Sequence, residues 1–251
     1  MRLLLFALLA ASSVSWAQRG IDPDLDIMDQ SRVVASGERV VIHARQVPVD
    51  AAFLTLAEEA YRRIDALTGR GAAVAALGPK VHIYVADIRR ASHVWRGYDH
   101  PSEPKALIFL NRPAYEGAMR GDNATYAHEM THLFAWRYSS HTLREGLADY
   151  VALEIRPGAA VGPNPAGFDS APIPDAVTPY VGTRLPAPPQ VTSDPDFRRA
   201  YYAASYRLVK LLVARRGMET FLKLYDSADP EAEYARLYGA ERAELVREAL
   251  K

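Results

Sequence analysis

Residues 126–134 read YAHEMTHLF and residues 141–150 read HTLREGLADY. The first stretch holds His128 and His132 four apart, with Glu129 directly after the first histidine. On a helix that spacing stacks both imidazoles on one face, so their nitrogens can meet at a point about 2.0–2.1 Å from each, the usual zinc–nitrogen distance. Glu129 is then placed to touch a water activated by the metal instead of the metal itself, as a general base must. Catalysis needs a third protein ligand and an open position. Glu145 lies 13 residues after His132, enough for one helix to end, the chain to turn at Ser139 and Ser140, and a second helix to bring its opening turn to the same point. Asp149, one helical turn further, is placed to accept the free N–H of a ligand histidine and orient its ring. A local reading competes for Glu145: Thr142 and Glu145 fit a capping box, in which the glutamate reaches back to the cap N–H.

HEMTH followed by LREGLADY resembles the gluzincins, the thermolysin-like and aminopeptidase-like zinc metallopeptidases and their small bacterial relatives. The resemblance is specific over residues 126–150 and loose over 80–217. It implies His128, His132 and Glu145 as ligands of one zinc ion per chain, Glu129 as base and Asp149 as the partner of a ligand histidine. The metzincin pattern would place Gly and His three and six residues after His132, where Ala135 and Tyr138 stand, so that subclass is excluded. The Gly-Ala/Met-Glu-Asn signature of the true aminopeptidases is not seen. In the resembling branch a tyrosine holds the oxyanion, and residues 199–205, RAYYAAS, stand at a comparable place. Tyr202, with Ser205 three residues on, matches best; Tyr201 and Tyr206 are alternatives, and a packed tyrosine with a satisfied hydroxyl is the plain structural reading. The resemblance also implies that the strand before the metal helix, 106–111, forms the sheet edge that pairs with substrate backbone, although apolar LIFL suits an ordinary buried strand equally.

At 251 residues, 49% hydrophobic and 24% charged, the chain can bury a core of ordinary size. Lys plus Arg equals Asp plus Glu, 30 each, so no overall field points to nucleic acid, an anionic membrane or an acidic substrate. With no cysteine, a disulfide framework, a thiol nucleophile and thiolate ligands are excluded, and a metal must be held by His, Asp or Glu. Residues 1–17 read as a cleaved signal peptide: Arg2, an apolar run over 3–11, then Ser15 and Ala17 at minus three and minus one of a cut before Gln18. That run is too short to span a bilayer of about 30 Å. The expectation is an exported protein, periplasmic or secreted and, from its Ala- and Arg-rich composition, bacterial, with no stable membrane insertion.

Residues 18–36 are polar, without clear period, and read as an extended arm. Strands are expected over 38–45, 80–86 and 105–110, with a helix from Asp50 as cap through Leu67. Helices are expected over 123–138, 143–155 capped by Thr142, 197–216, 219–225 and 231–250. Residues 156–195 hold ten of 17 prolines and read as an irregular surface excursion or lid. Of the other histidines, His43 and His82 read as sheet residues, His93 and His100 as loop residues that rim a pocket or are solvated, and His141 as a cap neighbour. Arg144 faces either substrate or solvent.

The fold class expected is α+β: a zincin-like metallopeptidase over 37–251, with a small mixed sheet lobe (about 37–140) and a helical lobe (about 141–251) flanking the zinc cleft. The function expected is hydrolysis of a peptide or protein substrate by zinc and Glu129. The alternatives are a catalytically silent envelope binding protein and a zinc hydrolase of a non-peptide substrate.

Overall fold

The computed structural model describes residues 23–95, 106–162 and 164–251. The signal-peptide reading of 1–17, and His100, lie outside them. The chain runs through α1 (Pro23–Gln30), β1 (Arg32–Ser36), β2 (Val40–Arg45), α2 (Ala52–Thr68), α3 (Gly71–Ala75), β3 (Val81–Ala86), β4 (His93–Val94) and β5 (Leu107–Asn111). Helices follow: α4 (Arg112–Arg120), α5 (Thr125–Phe134), α6 (His141–Ile155), a 3-10 turn (Asp175–Tyr180), α7 (Gln190–Ser193), α8 (Pro195–Tyr225), α9 (Pro230–Tyr238) and α10 (Arg242–Ala249). This is an α+β fold. Among the described residues five strands form a mixed sheet of order β1-β2-β3-β5-β4, parallel across β2, β3 and β5 and antiparallel at both margins.

Strand alternation gives the sheet two apolar faces. Val40, Ile42, Val81, Ile83, Val85, Ile108 and Leu110 join the main core with Phe53 and Ile64 of α2 and Met130 and Leu133 of α5. Tyr84, Leu107 and Phe109 face the other way, against Ile27 of α1 and Trp95. On that second face His43, Tyr84, Phe109 and His93 stand opposite one another in register, and their rings stack at 4.2, 5.3 and 5.2 Å between centroids. His43 and His82, joined at 2.9 Å, are sheet residues as expected.

Several expectations change. The polar stretch before residue 37 is not merely extended: α1 covers the second core and β1 pairs with β2. β5 is not the sheet edge; it lies between β3 and β4, and all four apolar residues of LIFL are buried, as an interior strand with two covered faces requires. Asn111-Arg112-Pro113 ends β5 but also starts α4, which the sequence reading missed. Asn111 is its cap, accepting from Ala114 N at 2.9 Å, with proline in the first turn. The proline-rich stretch is irregular, yet Val161, Phe168, Val177 and Val181 are buried. Its carbonyls accept from long side chains of the helices: Phe168 O and Ala171 O from Arg207 (2.9 and 2.6 Å), Val181 O from Arg242 (2.8 Å) and Gly182 O from Tyr234 (3.0 Å).

Two glycines set the helical part. Gly217, at φ 77° and ψ 166°, breaks α8 into the two helices expected there. Gly146 lies where α6 crosses α8: a Cβ on it would come within 2.3 Å of the Ser205 carbonyl oxygen, a backbone atom that cannot rotate away. Gly146→Ala is therefore expected to push the helices apart at a cost of about 1–3 kcal/mol, lowering Tm by roughly 2–12 °C. Because α6 also carries Glu145, zinc affinity is expected to fall as well. Thermal melts and zinc titration check this; an unchanged Tm contradicts the close crossing. Among the described residues no helix is long and apolar enough to cross a membrane.

Candidate metal centre

Every residue of α5 is buried, so HEMTH sits on a core helix and not on an amphipathic surface one. The helix stops at Phe134, short of the expected 138, where Tyr225 donates to Ala135 O at 2.7 Å. The chain then turns, and Ser140 caps α6 by accepting from Leu143 N at 3.3 Å. Thr142 is not the cap: its hydroxyl accepts from Gly182 N at 2.8 Å and donates to Tyr180 O at 3.2 Å. The capping box is thus not formed, because α6 begins two residues earlier than expected and leaves Glu145 free to turn inward.

His128 Nε2 and His132 Nε2 are 3.1 Å apart, and Glu145 Oε2 lies 3.5 Å from the first and 3.6 Å from the second. A triangle with those edges has its corners about 2 Å from one common centre, the ordinary zinc–ligand length. The other oxygen, Oε1, is held by Arg144 Nη1 at 3.0 Å, with His141 Nε2 at 3.7 Å. His128 Nδ1 meets Asp149 Oδ1 at 2.8 Å, and Asp149 is fully buried. With Nδ1–H donated to Asp149, His128 Nε2 presents a lone pair toward a carboxylate oxygen and a second imidazole nitrogen. When neither ring carries a proton on Nε2, the three buried atoms are all acceptors, and a cation at their common centre would satisfy them. The donor set, two imidazoles and a carboxylate with no thiolate, fits zinc. His132 Nδ1 and Asp149 Oδ2 are buried without a hydrogen-bond partner.

Glu129 is buried in the same cleft, and an oxygen of it lies within 4.8 Å of the histidine nitrogens. His128, His132 and Glu129 therefore also form a candidate trio, but a looser one than the trio with Glu145. Environment separates the two carboxylates. Burial pushes Glu129 up to about 7, with His128 pulling down and Glu145 up. Burial pushes Glu145 up too, but His132, His128 and Arg144 outweigh it and hold Glu145 well below the usual carboxylate range. In the metal-free protein the two buried carboxylates thus differ, Glu145 held in its charged form and Glu129 near neutrality.

His132 is pushed down to about 3, by burial first and then Arg144. Burial lowers His128 as well, but the charge and hydrogen bond of Asp149 outweigh it and raise His128 well above its ordinary value. Asp149 is raised to about 6 by burial, against the pull of His128. The Asp149 carboxylate thus favours an extra proton on His128 in the metal-free protein, a proton that zinc uptake must displace. Zinc affinity is therefore expected to fall as the pH is lowered, with protons released on binding. Competitive zinc titration over about pH 5.5–7.5 in two buffers measures both; pH-independent affinity contradicts the reading.

Of the three tyrosines, only Tyr202 lines the cleft, together with His93, His141 and Arg198. Burial, then Glu145, Asp149 and Glu129, keep its hydroxyl protonated well above pH 10. Tyr201 is fully buried, its hydroxyl 2.9 Å from His141 Nδ1. Tyr206 packs on Phe168 in a separate cluster. Arg144 is turned away from bulk solvent and lines the cleft; it is 8% exposed, paired with Glu145 and stacked on Tyr138 at 4.9 Å. His93 meets Asp24 at 3.0 Å and its ring lies on Phe109. Arg198 was not singled out by sequence reading. Its signal was helical spacing, since once α8 starts at Pro195 it lies four residues before Tyr202 on the same face.

No family model matches the chain, and a search of curated proteins finds no match. Matching solved structures include an M1 zinc metallopeptidase mutant from Deinococcus radiodurans and a two-domain M1 zinc metallopeptidase mutant bound to L-arginine. Each shares 12% identity with this chain at a TM-score of 0.48, covering 88% of this chain and 51% of the other. The chain spans about half their length.

Proposed function

We propose that the protein is a zinc-dependent peptidase of gluzincin type, in which His128, His132 and Glu145 hold the metal. The observation that carries this reading is the convergence of two imidazole nitrogens and a carboxylate oxygen at 3.1–3.6 Å, with a second buried carboxylate, Glu129, in the same cleft. A bound zinc ion supplies Lewis acidity to the scissile carbonyl and to the attacking water. Glu129 takes the proton from that water and passes it to the leaving amine. Asp149 fixes the tautomer and ring orientation of His128, and Arg144 fixes the carboxylate plane of Glu145. Tyr202 donates its hydroxyl hydrogen to the oxyanion. The apolar start with Ser15 and Ala17 before the cut supports export.

Tyr202→Phe is expected to lower kcat by about 10²–10³-fold with zinc content unchanged, the loss of one oxyanion donor; steady-state kinetics with metal analysis checks it, and an unchanged kcat assigns Tyr202 to packing. The whole reading is tested by digesting a broad peptide library with zinc-loaded protein, with and without chelator, and reading new termini by mass spectrometry. Zinc-dependent cleavage supports it. Silence across all peptides from protein that holds one zinc per chain contradicts it.

A further inference from the structure

The metal cleft, about 320 Å³, adjoins a second hollow of about 420 Å³, the two sharing Ala91, Ser92, Gly162 and Arg198 as lining. Arg89, Arg90, Arg198, Asn111 and Asn123 line the second hollow, and among the described residues no carboxylate does. Arg90 is paired with Asp24. No ion pair joins Arg89 or Arg198 to a carboxylate among the described residues, and Arg198 Nε is buried without a partner. Arg89 is exposed and Arg198 half-buried, so both keep guanidinium donors available to a ligand in the hollow. The first turns of α4 and α5 also open here, through Asn111 and Ala114 and through Asn123 and Thr125; both helix ends favour negative charge. The chain is neutral overall, so this positive wall is local.

We infer that this hollow is a carboxylate subsite, which selects peptides carrying an acidic side chain or a free C-terminal carboxylate beside the bond to be cut. The inference rests on the peptidase reading for its ligand class. Arg198 bridges the two hollows, so its guanidinium meets the carboxylate while the backbone continues toward Glu129 and Tyr202. A planar donor fork paired with a carboxylate gives charge-assisted, two-point recognition.

The test uses zinc-loaded Glu129→Gln full-length protein, which holds peptides uncut, and three labelled peptides of equal length: one with an Asp or Glu and an amidated C-terminus, one neutral with a free C-terminus, one neutral and amidated. Anisotropy is expected to show the first or the second binding at least tenfold tighter than the third, and the better of the two identifies the source of the carboxylate. Adding Arg198→Gln is expected to shrink that margin about tenfold or more. Arg89→Gln, at an exposed side chain, is expected to shrink it by a smaller step, and it keeps the test alive if the Arg198 variant fails to fold. Equal affinities for all three peptides overturn the inference. So does a margin that survives both substitutions, since the carboxylate would then be binding the metal. Cleavage by the wild-type protein without discrimination leaves the peptidase reading standing and removes this one; discrimination without any wild-type cleavage does the reverse.

Discussion

Glu129→Gln is expected to keep one zinc per chain and to lower kcat for peptide hydrolysis by about 10²–10⁴-fold, the usual worth of a general acid–base group. The substitution preserves shape and removes only the ability to accept a proton. Zinc should stay because the tight trio of 3.1, 3.5 and 3.6 Å does not include Glu129. Proton transfer should go because Glu129 is the carboxylate that lies in the cleft outside that trio, and an amide in its place cannot accept a proton. Hydrolysis at the wild-type rate would remove Glu129 from the chemistry. Loss of zinc would make it a ligand, through the looser trio within 4.8 Å.

Glu145→Ala is expected to have a double effect. It deletes one of three converging ligand atoms, so zinc affinity should fall by more than the 10–100-fold that follows loss of a group that only orients a ligand. It also strands Arg144, which is 8% exposed and whose Nη1 bonds Glu145 Oε1 at 3.0 Å. Breaking a buried ion pair from one side costs about 3–5 kcal/mol, which for a chain of this size lowers Tm by roughly 6–20 °C. Zinc titration and thermal melts on the metal-free protein separate the effects, because stranding Arg144 destabilises with or without metal. Glu145→Gln, which retains an acceptor for Arg144, should lose zinc with a smaller fall in Tm. Zinc affinity unchanged in both variants would assign Glu145 to structure alone.

The candidate site was largely legible because its spacing is helical. His128, His132 and Asp149 follow from turns of 3.6 residues, and the 13-residue step to Glu145 leaves room for one reversal. The two readings of Glu145 could not be separated in sequence, since Ser140 and Thr142 are both good caps; which one caps depends on Gly182 and Tyr180, contributed from some 40 residues away. α4 was hidden because Asn-Arg-Pro stops a strand and starts a helix with the same residues. Burial of the proline-rich stretch was illegible because its carbonyls are satisfied by side chains distant in sequence, Arg207, Arg242 and Tyr234. The basic hollow was masked by overall neutrality, since charge counts carry no positions.

Titration of metal-free protein with zinc against a competing chelator, combined with X-ray absorption at the zinc edge, tests the metal centre most directly. The result expected is one zinc per chain, with two imidazole nitrogens at about 2.0–2.1 Å and carboxylate oxygen in the same shell, and the imidazole signal halved or lost in His132→Ala. Zinc that binds no more tightly than to an unfolded control, or a shell without imidazole, would contradict it.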